Sequence, residues 1–144
     1  MCGIAGLSAD DPSSMGRMLA SIEGRGPDGR GIYTDGRVTL GHVRLSILDL
    51  SQAGAQPMEF GNLVVVYNGE IYNFAELRRE LSPYYEFVSQ SDTEVLLRAW
   101  HRWGRRAVDR FRGMFAFAVY DKNDGTLTLV RDRVGVKPLY YYYD

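Results

Sequence analysis

The chain opens on small apolar positions: Cys2 to Leu7 (CGIAGL) reads as a buried strand. Met15, Met18, Leu19 and Ile22 then recur at i, i+3, i+4 and i+7 behind a serine, which predicts a short helix over 13–22. Residues 24–31 (GRGPDGRG) hold too much Gly and Pro for anything but a loop. Strands are expected at 32–33 and 38–48, a loop over 49–58, and a compact β-branched strand at 63–67 that breaks at Asn68-Gly69, a dipeptide suited to positive φ. Asn73, with Glu76 three residues on, opens a helix whose buried face is Phe74, Leu77 and Leu81 and which Pro83 ends. A second box, Ser91-Asp92-Thr93-Glu94, heads a helix carrying Val95, Leu96, Ala99, Trp100 and Trp103 on one side, with Gly104 as its C-terminal cap. The rest is a β run over 114–120, a turn at 122–125, and strands at 126–131 and 136–143, the last taking in four tyrosines. The pattern is α+β, without regular βαβ alternation or internal repeats.

Composition narrows the class without choosing a function. With 144 residues, 45% hydrophobic and 24% charged, the chain suits one globular domain. No run of about 18 apolar residues occurs, and Met1 leads into Cys2 with neither a basic nor a long apolar region, so neither a membrane span nor a signal peptide is expected. Seventeen Lys and Arg nearly balance 18 Asp and Glu, for a net charge of -1, which gives no overall pull toward nucleic acid or membrane. The arginines at 102, 105, 106, 110 and 112 form a local basic cluster, for which a solvated face is preferred over nucleic-acid binding because no aromatic accompanies them as in RNA-binding sheets. One cysteine permits no internal disulfide, which fits a reducing compartment and makes the cytoplasm the expected location. Two separated histidines, outside any paired-ligand spacing, argue against a structural zinc site.

The single cysteine stands at position 2, and removal of Met1 would put a nucleophile and a base on one residue. A free α-amine and a thiol ordinarily titrate within about one unit of each other, so the amine can take the thiol proton near neutral pH. The alternative is a small buried cysteine at a strand start. Attack on a carbonyl creates an oxyanion, for which the Asn68 amide and the Gly69 N–H are candidate donors, against an ordinary Asn-Gly turn. Glu70 and Asp92 could hold a substrate ammonium and Arg44 a carboxylate. Asp92 also reads as a first-turn helix acid and Arg44 as a strand-edge surface residue.

Taken in order, CGIAG (2–6), RGPDG (25–29), GHVRLSILDL (41–50), GAQP (54–57), YNGEIYN (67–73), SDTE (91–94), GMFAFAVYD (113–121) and RDRVGVKPLYY (131–141) resemble the glutaminase domain of glutamine-hydrolysing asparagine synthetases. That domain is a class II, N-terminal-nucleophile glutamine amidotransferase, and the resemblance covers essentially the whole chain. It implies an αββα sandwich, two antiparallel sheets between helix layers. It also implies Cys2 as nucleophile, Asn68 and Gly69 as oxyanion hole, and Arg25 near the reacting centre. Arg44 would bind the glutamine carboxylate, Glu70 and Asp92 its ammonium, and the backbone around Leu45, Ile47 and Leu48 would line the pocket.

The resemblance has departures: Gly24 stands where the family usually has His, and RVGV (133–136) where it mostly has an aromatic and Ile. The sequence stops after PLYY, where family members continue with further strands and an ATP-using synthetase domain, so a C-terminally truncated sandwich is expected. No cofactor is expected in this chain, Mg-ATP belonging to that second domain, which receives ammonia for aspartate activated as β-aspartyl-AMP. L-glutamine, the synthetase domain and a second copy of the chain are the expected partners. The other reading is a non-catalytic or Met1-blocked glutamine-binding domain serving a different nitrogen acceptor.

Overall fold

The computed structural model describes residues 2–143. Its first sheet holds β1 (Gly3–Leu7), β2 (Gly29–Thr34) and β3 (Thr39–Arg44) in the order β1-β3-β2; the second holds β4 (Met58–Phe60), β5 (Leu63–Ile71), β6 (Gly113–Asp121) and β7 (Thr126–Arg131) in sequence order. All the strand pairings are antiparallel. The helices are α1 (Pro12–Ser21), α2 (Phe74–Leu81) and α3 (Asp92–Trp103).

The period-two pattern of the strands stacks these elements in four layers. Val64 and Val66 on β5 and Ala118 and Tyr120 on β6 pack with Leu40 of the first sheet and with Val38 just before β3, forming the layer between sheets. The alternate residues, Tyr67, Ile71, Phe115 and Phe117 among them, pack against Leu77 and Leu81 of α2 and Val95, Leu96 and Trp100 of α3. On the far side, Met15 and Leu19 of α1 cover Val43. Phe115 and Phe117, at most 1% exposed, each contribute roughly 1.5–3 kcal/mol through burial. The arrangement is the expected αββα sandwich.

Several local expectations are corrected. Asn68-Gly69 does not break a strand: β5 runs on to Ile71, with Asn68 opposite Ala116 and Gly69 opposite Phe115. Sheet pairing overrides the turn preference, and the glycine answers a close approach, since a Cβ at 69 would lie 2.3 Å from the Met114 carbonyl oxygen. The expected strand over 38–48 is only Thr39–Arg44, whereas β2 begins inside the expected Gly-rich loop. Residues 136–143 form no strand, and Tyr140–Tyr143 are 80–91% exposed, because β-propensity forms a strand only where an edge pairs with it. Arg44 is no surface residue: it ends the central strand β3 and is 8% exposed.

Helix starts differ too. Asp11, not a serine, caps α1, its Oδ1 accepting the Ser14 N–H at 2.8 Å. Asn73 precedes α2, but its side chain bridges the Arg110 carbonyl and the Arg112 N–H instead of capping. Ser91 does cap α3 through the Glu94 N–H at 3.3 Å. Glu94 reaches back to Ser89 and Val88 rather than to Ser91. Two arginines of the basic cluster have structural partners: Arg110 pairs with Glu80 and lies over Trp103, and Arg102 lies over Tyr84.

Candidate active site

One end of the sandwich opens as a cavity of about 100 Å³. A single water needs roughly 10–15 Å³ by the same measure, so the space suits a small molecule. Its wall brings together Cys2, Arg44, Asn68, Gly69, Glu70 and Asp92, together with Leu45, Ile47 and Leu48. Of the expected site residues only Arg25 is absent from the wall; its Nε donates to the Cys2 carbonyl at 3.1 Å and so steadies the backbone of Cys2.

Cys2 precedes β1, whose first residue Gly3 pairs with Val43 on β3. That register carries Cys2 to the point where β3 ends. The Leu45 N–H, released from the ladder, donates to Cys2 Sγ at 3.4 Å, and the thiol can donate to the Leu45 carbonyl at 3.6 Å. Arg44 holds the following loop, donating from Nη1 to the Ser51 carbonyl (2.8 Å) and from Nη2 to the Asp49 carbonyl (2.5 Å). Gly54 makes room for it, since a Cβ there would lie 2.6 Å from Nη2. A guanidinium has five N–H donors, so others remain for a ligand carboxylate.

The donor geometry of β5 follows from the pleat. Tyr67 N–H donates to Gln56 Oε1 at 2.6 Å and Ile71 N–H to Asp92 Oδ2 at 2.9 Å, both away from β6. Gly69 lies midway between them and its N–H shares their direction. It points out of the sheet edge beyond the end of β4, on the cavity side. Asn68, 5% exposed, belongs by alternation to the face of Val64 and Val66 and reaches the same cavity from between the sheets.

Asp92, at the first position of α3, is 5% exposed. Burial pushes its carboxyl above the ordinary range, while the Tyr67 hydroxyl (2.6 Å) and the Ile71 N–H pull it back toward ionisation. Tyr67 itself is held well above its usual value, first by burial and then by the Asp92 charge. Residues not foreseen from the sequence also line the wall, among them Gln56, Tyr67, Thr93 and Lys137. Lys137 is 3% exposed, its N–H donating to Asp132 Oδ2 and its carbonyl accepting from Arg131 Nε. Lys137 and Gln56 lie inside GVKP and GAQP, so the blocks were visible while their direction was not.

His42 lies behind the cavity, on the face of β3 that carries Leu40 and Arg44. It is 1% exposed, neither ring nitrogen meets a hydrogen-bond partner among the described residues, and burial together with the Arg44 charge lowers its pKa to about 4. Among the described residues no group of three or more His, Cys, Asp and Glu is placed to hold a metal ion, and no helix is long and apolar enough to cross a membrane.

At one end of the four-layer sandwich, a cysteine at the second position, an arginine and the acids Glu70 and Asp92 share one cavity. The profile of the glutamine amidotransferase domain matches residues 1–144, and the chain belongs to that family. A putative asparagine synthetase [glutamine-hydrolyzing] 2 of Methanocaldococcus jannaschii is 39% identical over 168 residues, covering 100% of this chain and 32% of the relative. Asparagine synthetase [glutamine-hydrolyzing] 1 of Bacillus subtilis is 41% identical over 152 residues, covering 98% of this chain and 24% of the relative. The chain thus spans a third or less of these curated relatives. Among solved structures, the glutamine phosphoribosylpyrophosphate amidotransferase of B. subtilis superposes with a TM-score of 0.79 at 21% identity, over 96% of this chain and 38% of that one, which establishes the shared fold.

Proposed function

We propose that this domain hydrolyses L-glutamine to glutamate and ammonia through a thioester on Cys2. The observation that carries the reading is that the Gly69 N–H, directed out of the β5 edge, opens on the same cavity as Cys2, on the side of β5 where the Ile71 N–H meets the buried carboxylate of Asp92. Once Met1 is removed, the Cys2 amine takes the thiol proton and sulfur attacks the amide carbon. The oxyanion sits between Asn68 Nδ2 and the Gly69 N–H. Return of the proton to nitrogen breaks the C–N bond and releases ammonia. Water, deprotonated by the same amine, then attacks the thioester, the C–S bond breaks, and glutamate leaves with the thiol restored. Arg44 takes the substrate carboxylate, and Asp92 with Glu70 its ammonium.

The names of the relatives support a second step, in which the ammonia feeds the synthesis of asparagine by a neighbouring synthetase domain; that this step uses ATP and takes place in the cytoplasm is part of the same proposal. Mg-ATP would be used there, and no step at Cys2 needs it. The test is intact mass, to establish loss of Met1, followed by glutamate release from glutamine. Cys2→Ala is expected to reduce turnover on the order of 10⁴-fold or more while keeping the melting temperature. A protein lacking Met1 that folds cooperatively yet releases no glutamate would overturn the reading and leave a binding domain.

A further inference from the structure

Three side chains outside the expected set tie the cavity wall together. Gln56, in the loop before β4, accepts the Tyr67 N–H at 2.6 Å through Oε1 and donates from Nε2 to Thr93 Oγ1 at 3.2 Å. Tyr67, on β5, donates its hydroxyl to Asp92 Oδ2 at 2.6 Å. Loop, strand and helix start are thereby locked around one carboxylate. Gln56, Tyr67, Asp92 and Thr93 are all at most 8% exposed, so these bonds form out of water, where an unmatched partner is expensive.

The consequence for Asp92 is directional. Oδ2 is filled by Tyr67 and Ile71, and no other described residue donates to Oδ1. The tyrosine is one of two donors that fix this buried acid in rotation and favour its ionised form against the burial that raises it. We infer that Tyr67 is a positioning residue for substrate selection, turning Asp92 so that Oδ1 receives the ammonium of an α-amino acid, with Gln56 holding the strand on which Tyr67 sits. The inference rests on the glutamine reading above, and extends it to what distinguishes glutamine from the same amide without its amine.

The probe pair is L-glutamine and 4-carbamoylbutanoate, its des-amino counterpart, titrated calorimetrically into the Cys2→Ala chain with and without Tyr67→Phe. The phenylalanine keeps the buried ring and removes only the hydroxyl. Glutamine affinity should fall about tenfold, the effect of losing one hydrogen bond to a charged group, while the analogue changes less than twofold. In the Cys2 chain, KM for glutamine should rise by a similar factor and kcat stay within about twofold. Equal losses for both ligands, or a lower melting temperature with unchanged discrimination, would assign Tyr67 a purely structural role. Absence of glutamine binding to Cys2→Ala would overturn the inference as well. Intact discrimination without hydrolysis in the Cys2 chain would instead remove only the proposed reaction.

Discussion

Asp132 takes the place of a strand partner for Phe115: its backbone N–H donates to the Phe115 carbonyl at 2.8 Å, and its Oδ2 accepts the Phe115 N–H at 3.1 Å. Both polar groups of Phe115 are thus turned toward the β7 side. The residue opposite on β5, Gly69, therefore forms a non-hydrogen-bonded pair with it and directs its own N–H the other way, to the cavity. One carboxylate just beyond β7 thus secures the register that aims the Gly69 N–H, two strands away, at the cavity.

Asp132 also accepts the N–H groups of Val136 and Lys137 and is 5% exposed. Burial raises its carboxyl, but the N–H donors of Lys137, Val136 and Phe115 outweigh it, and the folded-state pKa lies below the ordinary 3.8. The unfolded chain therefore takes up a proton first on acidification. The stabilisation is complete above 3.8 and is lost as pH falls through the folded-state value. Asp132→Ala should lower stability at pH 7 by roughly 2–4 kcal/mol in urea denaturation, with Asp132→Asn intermediate because one acceptor oxygen remains. An unchanged midpoint in both variants would contradict this account.

For Asn68, its place inside β5 separates two roles that local sequence could not. A turn residue would tolerate Asp, but there is no turn at 68. Asn68→Ala should reduce turnover about 10²–10³-fold with little change in KM. Asn68→Asp should be at least as damaging, because a carboxylate lacks a donor and repels the oxyanion. Steady-state kinetics on protein shown to lack Met1 decides it, and near-normal kcat in Asn68→Asp would leave Gly69 as the sole oxyanion donor.

The legible parts of the molecule were those governed by short-range periodicity. Leu77 and Leu81 on α2 and Val95, Leu96 and Trp100 on α3 lie buried as their spacing predicts. What local sequence misread was set by partners far away in the chain. Asn68-Gly69 looks like a turn until Phe115 pairs with it, and residues 136–143 look like a strand until no edge receives them. The charged and nucleophilic site residues stood out by type, and the cavity collects all of them except Arg25. Tyr67, Gln56 and Thr93 did not, because Tyr in a β run or Gln before Pro carries no chemical signal until the Asp92 carboxylate is seen between them.

His42 gives the remaining prediction. Buried between the sheets, with no hydrogen-bond partner for either ring nitrogen among the described residues, His42 has its pKa lowered by burial and the Arg44 charge, against a smaller opposing pull from the Tyr67 backbone, to about 4 from the ordinary 6.5. Between those values the unfolded chain holds a proton that the folded chain does not. Stability therefore falls as pH drops below about 6.5 and stops falling, for this group, near 4. The difference amounts to on the order of 3 kcal/mol over the whole window and about 2 kcal/mol by pH 5. His42→Leu keeps a buried apolar residue of similar size and removes the titration, so its urea midpoint should change less between pH 7 and pH 5 than that of the unaltered chain. Parallel midpoints for the two proteins would mean that the imidazole finds a partner, and the neutral His42 would have to be abandoned.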